Sequence, residues 1–75
     1  MAAVEKRSVT IRGHRTSFSL EQPFYDDLIA IAAERSLSLA ALIAEIDESR
    51  TRDANLSSAL RLYVLAWAKG RGTAF

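Results

Sequence analysis

Residues 17–24 of the chain read SFSLEQPF, and this stretch decides the fold. Polar and apolar residues alternate from Ser17 to Leu20, which is the period of a half-buried strand, and Phe18 and Leu20 share one face. Pro23 then fits the first turn of a helix, where its missing N–H group costs little. The stretch therefore predicts a short strand that continues directly into a helix.

The residues before this stretch predict a second extended segment. Residues 9–11 are β-formers of alternating polarity, and Gly13 and His14 interrupt the pattern. Two interpretations stay open. Either the two segments are short strands joined near Gly13 as a hairpin, or they form one bent strand with a bulge at the glycine.

Helical spacing predicts two helices in residues 23–48. The first is expected to end near Arg35, and Ser38 is a good N-cap for the second. The polar residues 49–54 are expected to form a loop. The apolar residues at helical spacing are Phe24, Leu28, Ile31 and Ala32 in the first helix and Leu39, Leu42, Ile43 and Ile46 in the second.

A third helix is predicted over residues 55–69. Asn55 can cap its N-terminus, and Gly70 is placed to end it. Because this helix is apolar on more than one side, we expect it to pack both on its own domain and on a partner. Residues 71–75 are expected to be a frayed tail. The first apolar face consists of Leu56, Leu60, Tyr63, Val64 and Trp67, and the second consists of Leu62, Leu65 and Ala66.

The size and composition of the chain favour one small domain that needs a second copy. The chain has 75 residues, 49% of them hydrophobic, and a single core of this size is only marginally stable. It contains no cysteine and one histidine, His14, so disulfides and thiolate metal sites are excluded. No metal site and no cofactor is expected, and oligomerisation is the remaining means of stabilisation.

The charges are distributed unevenly along the chain. The net charge is only +1, but residues 1–20 hold four basic side chains against the single acid Glu5. Residues 21–50 hold seven acids against Arg35 and Arg50. A basic arm ahead of an acidic helical body is typical of a protein that meets a polyanion with one end.

The sequence gives little support to secretion, membrane insertion or catalysis. No charged and apolar leader opens the chain, and the apolar run at residues 60–68 is interrupted by Arg61. A cytoplasmic location without a membrane partner is therefore expected. Because the chain has no Gly-rich phosphate loop and no nucleophile with its base in context, we expect no enzyme and assign no catalytic residue.

The order of these elements resembles a known family. Residues 15–46 resemble the ribbon-helix-helix family of Arc-like repressors, on the stretch SFSL (17–20), on the apolar residues of the first helix, and on Ser38-Leu39. The stretches VTIRGHR (9–15) and NLSSA (55–59) resemble a bacterial subfamily with an added N-terminal strand and C-terminal helix. The resemblance implies an α+β, mostly helical single domain over residues 1–75, with a core at 15–50, an arm or strand at 1–14 and a helix at 55–69.

The resemblance also implies an intertwined homodimer. An isolated strand leaves a row of unpaired N–H and C=O groups, and two copies that pair antiparallel across a two-fold axis would satisfy them. The expected core of this dimer consists of Phe18, Leu20, Phe24, Leu28, Ile31, Leu39, Leu42, Ile43 and Ile46.

Double-stranded DNA is the partner that the resemblance implies, and transcription regulation is the function. In the family, the outward face of the paired strands enters the major groove, so the base-facing positions fall on Arg15, Ser17 and Ser19. The two serines also fit a purely structural role as the solvated side of a half-buried strand.

Phosphate contacts are expected at two places. The family binds a phosphate at the N-terminus of the second helix, which here is Ser38 with the N–H groups of Leu39 and Ala40. The basic arm is expected to add nonspecific, salt-dependent contacts from Lys6, Arg7 and Arg12.

The added strand leaves two other functions open. A four-stranded sheet would be roughly 15 Å wide, against a major groove of about 12 Å. The chain could therefore be a dimeric interaction module that binds a protein partner through Leu62 and Leu65 without groove insertion. It could also be a small-ligand sensor, with Arg12, His14, Ser57 and Ser58 as the speculative ligand-facing residues.

Overall fold

The structure is a computed structural model that describes residues 3–51 and 53–70. Two strands, β1 (Val4–Ile11) and β2 (His14–Glu21), precede three helices, α1 (Gln22–Glu34), α2 (Leu39–Ser49) and α3 (Leu56–Gly70). The fold is therefore α+β and mostly helical, as the sequence predicts. The tail expected at residues 71–75 lies outside the described residues.

β1 and β2 form an antiparallel hairpin along their whole length. The register pairs Val4 with Glu21 at the open end and Ile11 with His14 at the closed end. The two-residue turn between them has positive φ at both positions, 49° at Arg12 and 79° at Gly13, and such turns match the twist of paired strands. The hairpin interpretation is confirmed, and the alternative of one bent strand is wrong. Both strands are longer than the sequence predicts.

The hairpin has one apolar face and one polar face. Phe18 and Leu20 point to the inner face, where the helices pack, together with Ile11 of β1. Because successive side chains of a strand alternate between faces, the residues between them point outward. The outer face consists of Lys6, Ser8 and Thr10 on β1 and Arg15, Ser17 and Ser19 on β2, and the pair Val4 and Glu21 ends this face at the open end of the hairpin.

One chain buries the residues that were expected to form the dimer core. Seven of the nine are buried, and Phe24 and Leu39 are partly buried against them. α3 completes this core by contributing Leu56, Leu60 and Val64. The buried residues are Ile11, Phe18, Leu20, Leu28, Ile31, Ala32, Leu42, Ile43, Ile46, Leu56, Leu60 and Val64.

The helix ends agree with the predicted caps. The Ser38 side chain accepts a hydrogen bond of 3.0 Å from the N–H of Ala41 at the start of α2. Asn55 Oδ1 accepts one of 2.8 Å from the N–H of Ser58 at the start of α3. The helix α3 includes Gly70 instead of ending before it. No helix in the described part of the chain is long and apolar enough to cross a membrane.

Candidate nucleic-acid interface

The outer face of the hairpin brings the predicted base-facing residues together. Across the two strands, Thr10 lies opposite Arg15, Ser8 lies opposite Ser17, and Lys6 lies opposite Ser19. Arg15 and Ser17 are exposed, whereas Ser19 is only half exposed. Between the turn and the terminal pair Val4–Glu21, the face is therefore a polar surface of short hydroxyl side chains with a cation toward each end.

The cations of this face differ from the other arginines of the described chain because they form no ion pair. Within residues 3–51 and 53–70, each arginine other than Arg15 forms an ion pair with an acid. Arg15 and Lys6 form none, and the same holds for Lys69 on α3. Two of the three unpaired cations of the described chain therefore lie on the outer face of the hairpin.

Arg12 connects the hairpin turn to α2. Its Nη2 atom donates a hydrogen bond of 2.8 Å to Glu48 Oε2, and the same atom lies 3.4 Å from the carbonyl oxygen of Ala44. The side chain is about half exposed. A phosphate would have to compete with Glu48 for this guanidinium, so Arg12 is a weaker candidate for a DNA contact than Arg15.

Arg7 lies on the inner face of the sheet, away from the predicted interface. Its guanidinium lies 3.9 Å above the ring centre of Tyr25 and donates a hydrogen bond of 2.8 Å to Gln22 Oε1. Its side chain is only 16% exposed, with Glu5 at 3.6 Å. The sequence pattern groups Arg7 with Lys6 because both are basic. The alternation of the strand directs them to opposite faces, and we therefore leave Arg7 out of the candidate interface.

The free edge of β2 is covered at one residue by α3. The backbone N–H of Ser19 donates a hydrogen bond of 2.9 Å to Ser57 Oγ, and its carbonyl oxygen lies 3.4 Å from Arg61 Nη2. Arg61 Nε also donates a bond of 2.9 Å to Glu21 Oε1, and this bond lowers the pKa of Glu21 below its ordinary value. We call these contacts of Ser57 and Arg61 with Ser19 the edge contact.

The predicted phosphate site at the start of α2 is at the far end of that helix from the turn. Leu39 and Ala40 are in the first turn of α2, and the Ser38 hydroxyl is bonded to the next N–H group, that of Ala41. Arg12 contacts α2 at Ala44, which is roughly 9 Å from Ser38 along the helix axis at 1.5 Å per residue. The structure therefore separates the helix N-terminus from the hairpin turn.

The speculative ligand-facing residues do not form a common site. Arg12 and His14 are at the closed end of the hairpin, whereas Ser57 bonds to Ser19. The distance along β2 from His14 to Ser19 is about 17 Å at 3.4 Å per residue. Ser58 is beside Ser57 in the first turn of α3. A ligand site made of all four residues would need them to converge, and the length of β2 keeps them apart.

Two features of the site were missed by sequence analysis. Ser8 and Thr10 share the outer face, and the alternation of the strand was a sufficient signal for them once β1 is extended to Val4. The edge contact had no such signal, because Ser57 and Arg61 are about 40 residues away from Ser19 in the chain. Among the described residues, no group of three or more His, Asp or Glu side chains could hold a metal ion.

Comparison with known proteins assigns the fold to a family. The family model of the ribbon-helix-helix domain matches residues 4–68, and the chain belongs to this family. Ribbon-helix-helix domains are generally DNA-binding transcription regulators, typically dimers, and the fold is typically non-enzymatic. No curated protein and no solved structure matches the chain.

Proposed function

We propose that this protein is a DNA-binding transcription regulator that acts as a homodimer in the bacterial cytoplasm. The family supports this function in general terms. The observation that carries the proposal for this chain is that two cations without an acid partner, Arg15 and Lys6, lie on the polar outer face of the hairpin. A cation without an acid partner interacts with a polyanion without first breaking an ion pair.

Arg15 is the residue proposed to contact bases. It is exposed and lies near the closed end of the hairpin, and its planar guanidinium can donate two hydrogen bonds to guanine O6 and N7. Ser17 is beside it on the same face and offers a short hydroxyl that accepts or donates. Ser19 is a minor contributor, because the edge contact holds its backbone against α3.

The phosphate contacts are proposed to come from Lys6 and from the start of α2. Lys6 is at the opposite end of the outer face from Arg15. At Ser38 the N–H groups of Leu39 and Ala40 remain available for a phosphate oxygen. Arg12 adds a contact only if it exchanges Glu48 for phosphate.

The full pairing of β1 with β2 affects how the sheet would approach DNA. Two hairpins side by side form four strands, roughly 15 Å wide, whereas the major groove is about 12 Å wide. We therefore propose that the long Arg15 side chain extends into the groove from the centre of the sheet. The β1 strands then lie toward the phosphates, on the side that carries Lys6.

Fluorescence anisotropy with labelled duplex DNA across a salt series tests this function. Arg15→Ala is expected to weaken binding by about 1–3 kcal/mol for each lost contact. Lys6→Ala is expected to weaken all sequences alike and to reduce the salt slope by about 1 per contact, which is about 2 for a dimer. Lys69→Ala is the matched control, since it removes an unpaired cation outside the outer face. Absence of binding at low salt, or equal effects of the three substitutions, would contradict the proposal.

A protein partner is the second candidate function, and one observation favours it. Leu62 and Leu65 are 63% and 47% exposed, and their i, i+3 spacing makes them neighbours in one apolar patch on α3. Leu62→Asp and Leu65→Asp are expected to abolish binding of a co-purifying partner while circular dichroism stays unchanged. DNA binding that persists in both variants would separate this surface from the outer face.

A further inference from the structure

The backbone N–H and C=O groups of successive β2 residues point alternately to the two edges of the strand. In a hairpin with a two-residue turn, the residues that flank the turn exchange two hydrogen bonds, so Ile11 and His14 form such a pair. Every second residue of β2 from His14 onward then bonds to β1. The N–H and C=O groups of Arg15, Ser17, Ser19 and Glu21 point to the opposite edge, which is the edge that a partner strand needs.

Only part of this edge is open. The edge contact occupies both backbone groups of Ser19, and Arg61 continues to the Glu21 side chain. In residues 3–51 and 53–70, no group forms a hydrogen bond with the backbone groups of Arg15 and Ser17 on this edge. The open length therefore extends from the hairpin turn to the residue before Ser19.

The antiparallel registers that two copies can adopt differ in how they use this open length. A register that opposes Ser17 to the partner's Ser17 sets Arg15 against the partner's Ser19, which α3 already occupies. A register that opposes Arg15 to the partner's Arg15 sets like charges against each other and places Ser17 against the partner's Gly13, which is part of the turn. Pairing Arg15 with the partner's Ser17 uses both open residues of each copy.

We propose that two copies pair in this last register, with Thr16 on the two-fold axis opposite the partner's Thr16. The inference rests on the homodimer of the proposed function and specifies how it is built. Each copy exchanges two hydrogen bonds through Arg15 and two through Ser17. The partner's β2 begins at its His14, which lies opposite Phe18, so the partner's turn leads away just before the edge contact at Ser19.

This register determines the centre of the proposed DNA-binding surface. The two Arg15 residues become diagonal neighbours across the axis, with Cα atoms roughly 7–8 Å apart. The two Ser17 side chains are beside them on the same outer face. Ser19 is outside the paired segment. Two closely spaced guanidinium groups therefore lie at the centre of the surface, and its ligand is a polyanion.

Disulfide cross-linking of single-cysteine variants measures the register, because the natural chain contains no cysteine. In the proposed register the two Thr16 Cα atoms are about 4.5 Å apart, within the range that a disulfide spans. The Ser17 pair is roughly 7–8 Å apart and the Ser19 pair about 20 Å. Under mild oxidation, Thr16→Cys is expected to form the linked dimer several-fold more than Arg15→Cys, Ser17→Cys or Ser19→Cys.

The outcomes separate the register from the dimer itself. Sedimentation of the natural chain as a dimer, with the strongest link at Arg15→Cys, Ser17→Cys or Ser19→Cys, would overturn the register and leave the homodimer standing. Sedimentation as a monomer at every concentration would overturn the homodimer of the proposed function, and the register with it.

A second arm tests whether the edge contact sets the register. Replacing both Ser57 and Arg61 by alanine frees Ser19 and Glu21, and the longest register then opposes Phe18 to the partner's Phe18. The two Thr16 residues move about 14 Å apart along the strands at 3.4 Å per residue. In this background the Thr16→Cys link is expected to decrease several-fold, with circular dichroism used to verify the fold. An unchanged link would contradict the role assigned to α3.

Discussion

The backbone N–H of Ser19 donates a hydrogen bond of 2.9 Å to the hydroxyl of Ser57, so α3 is bonded directly to the free edge of β2. Ser57→Ala leaves this half-buried N–H without its acceptor. The free energy of unfolding is expected to decrease by about 1 kcal/mol, measured by urea denaturation. The matched control is Ser58→Ala, whose hydroxyl has no hydrogen bond in the described structure; an equal loss there would show that helix propensity and not the bond is responsible.

Arg7 and Lys6 are adjacent in sequence and point to opposite faces of β1. Because Arg7 stacks on Tyr25 and bonds to Gln22, Arg7→Ala is expected to lower the free energy of unfolding by roughly 0.5–2 kcal/mol. It should leave the salt dependence of DNA binding unchanged. Lys6→Ala is expected to do the reverse. A reduced salt slope in Arg7→Ala, at temperatures where the variant is folded, would place Arg7 in the interface after all.

Gly13 is the residue of the turn that most needs glycine. Its φ is 79°, a left-handed conformation that costs other residues about 1–2 kcal/mol. A Cβ atom added there meets nothing within 4 Å, and the same holds at Gly70. Gly13→Ala is therefore expected to destabilise through backbone conformation alone, whereas Gly70→Ala at the end of α3 is expected to be neutral or stabilising by up to about 1 kcal/mol. Thermal unfolding of the two variants compares them; equal effects would exclude the conformational explanation.

Arg35 joins α2 and α3 through Glu45 and Tyr63. Its two terminal nitrogens donate bonds of 2.6 and 3.0 Å to the Glu45 carboxylate, and one of them donates 2.9 Å to the Tyr63 hydroxyl. The hydrogen bonds from Arg35 to the carboxylate lower the pKa of Glu45 below its ordinary value of 4.5. A lowered pKa in the folded chain means that the stabilisation is present above pH 4.5 and is lost as the pH falls through the folded value.

Glu45→Gln therefore has a pH-dependent effect. At pH 7 the variant is expected to melt at a lower temperature than the natural chain. The difference should shrink as the pH is lowered below about 4.5, because protonation makes Glu45 of the natural chain neutral, as the glutamine already is. Melting curves by circular dichroism at pH 7 and pH 3 measure it. Asp53→Asn provides the control, because Asp53 is exposed and has no ion pair in the described structure. A difference that stays constant with pH would rule out the charge as its origin.

The helices and their caps could be predicted because their signals are local. Ser38 and Ala41 are three residues apart, as are Asn55 and Ser58, so each cap is visible within one turn of sequence. The full length of β1 could not be predicted in this way. Glu5 and Lys6 are residue types with low strand propensity, and pairing with β2 overrides that propensity.

The core of one chain is more complete than the size of the chain predicts. The sequence pattern assigns Phe18, Leu20 and the apolar faces of the first two helices to a core shared by two chains. The predicted third helix was expected to pack on its own domain, and its residues Leu56, Leu60 and Val64 cover that core within one chain. Burial of these residues is therefore no argument for a dimer, and the dimer proposal rests on the family and on the open edge of β2.

The two-residue turn at Arg12 and Gly13 has a consequence for how this hairpin can change in evolution. One residue added to the turn would offset the pairing by one, and each side chain of β2 would exchange faces unless a bulge absorbed the insertion. Phe18 and Leu20 would leave the core while Arg15 and Ser17 entered it. Two added residues preserve the alternation and only lengthen the hairpin. Insertions of an even number of residues at the turn are therefore tolerated. An insertion of an odd number moves the buried side chains of β2 to the surface and its exposed side chains into the core.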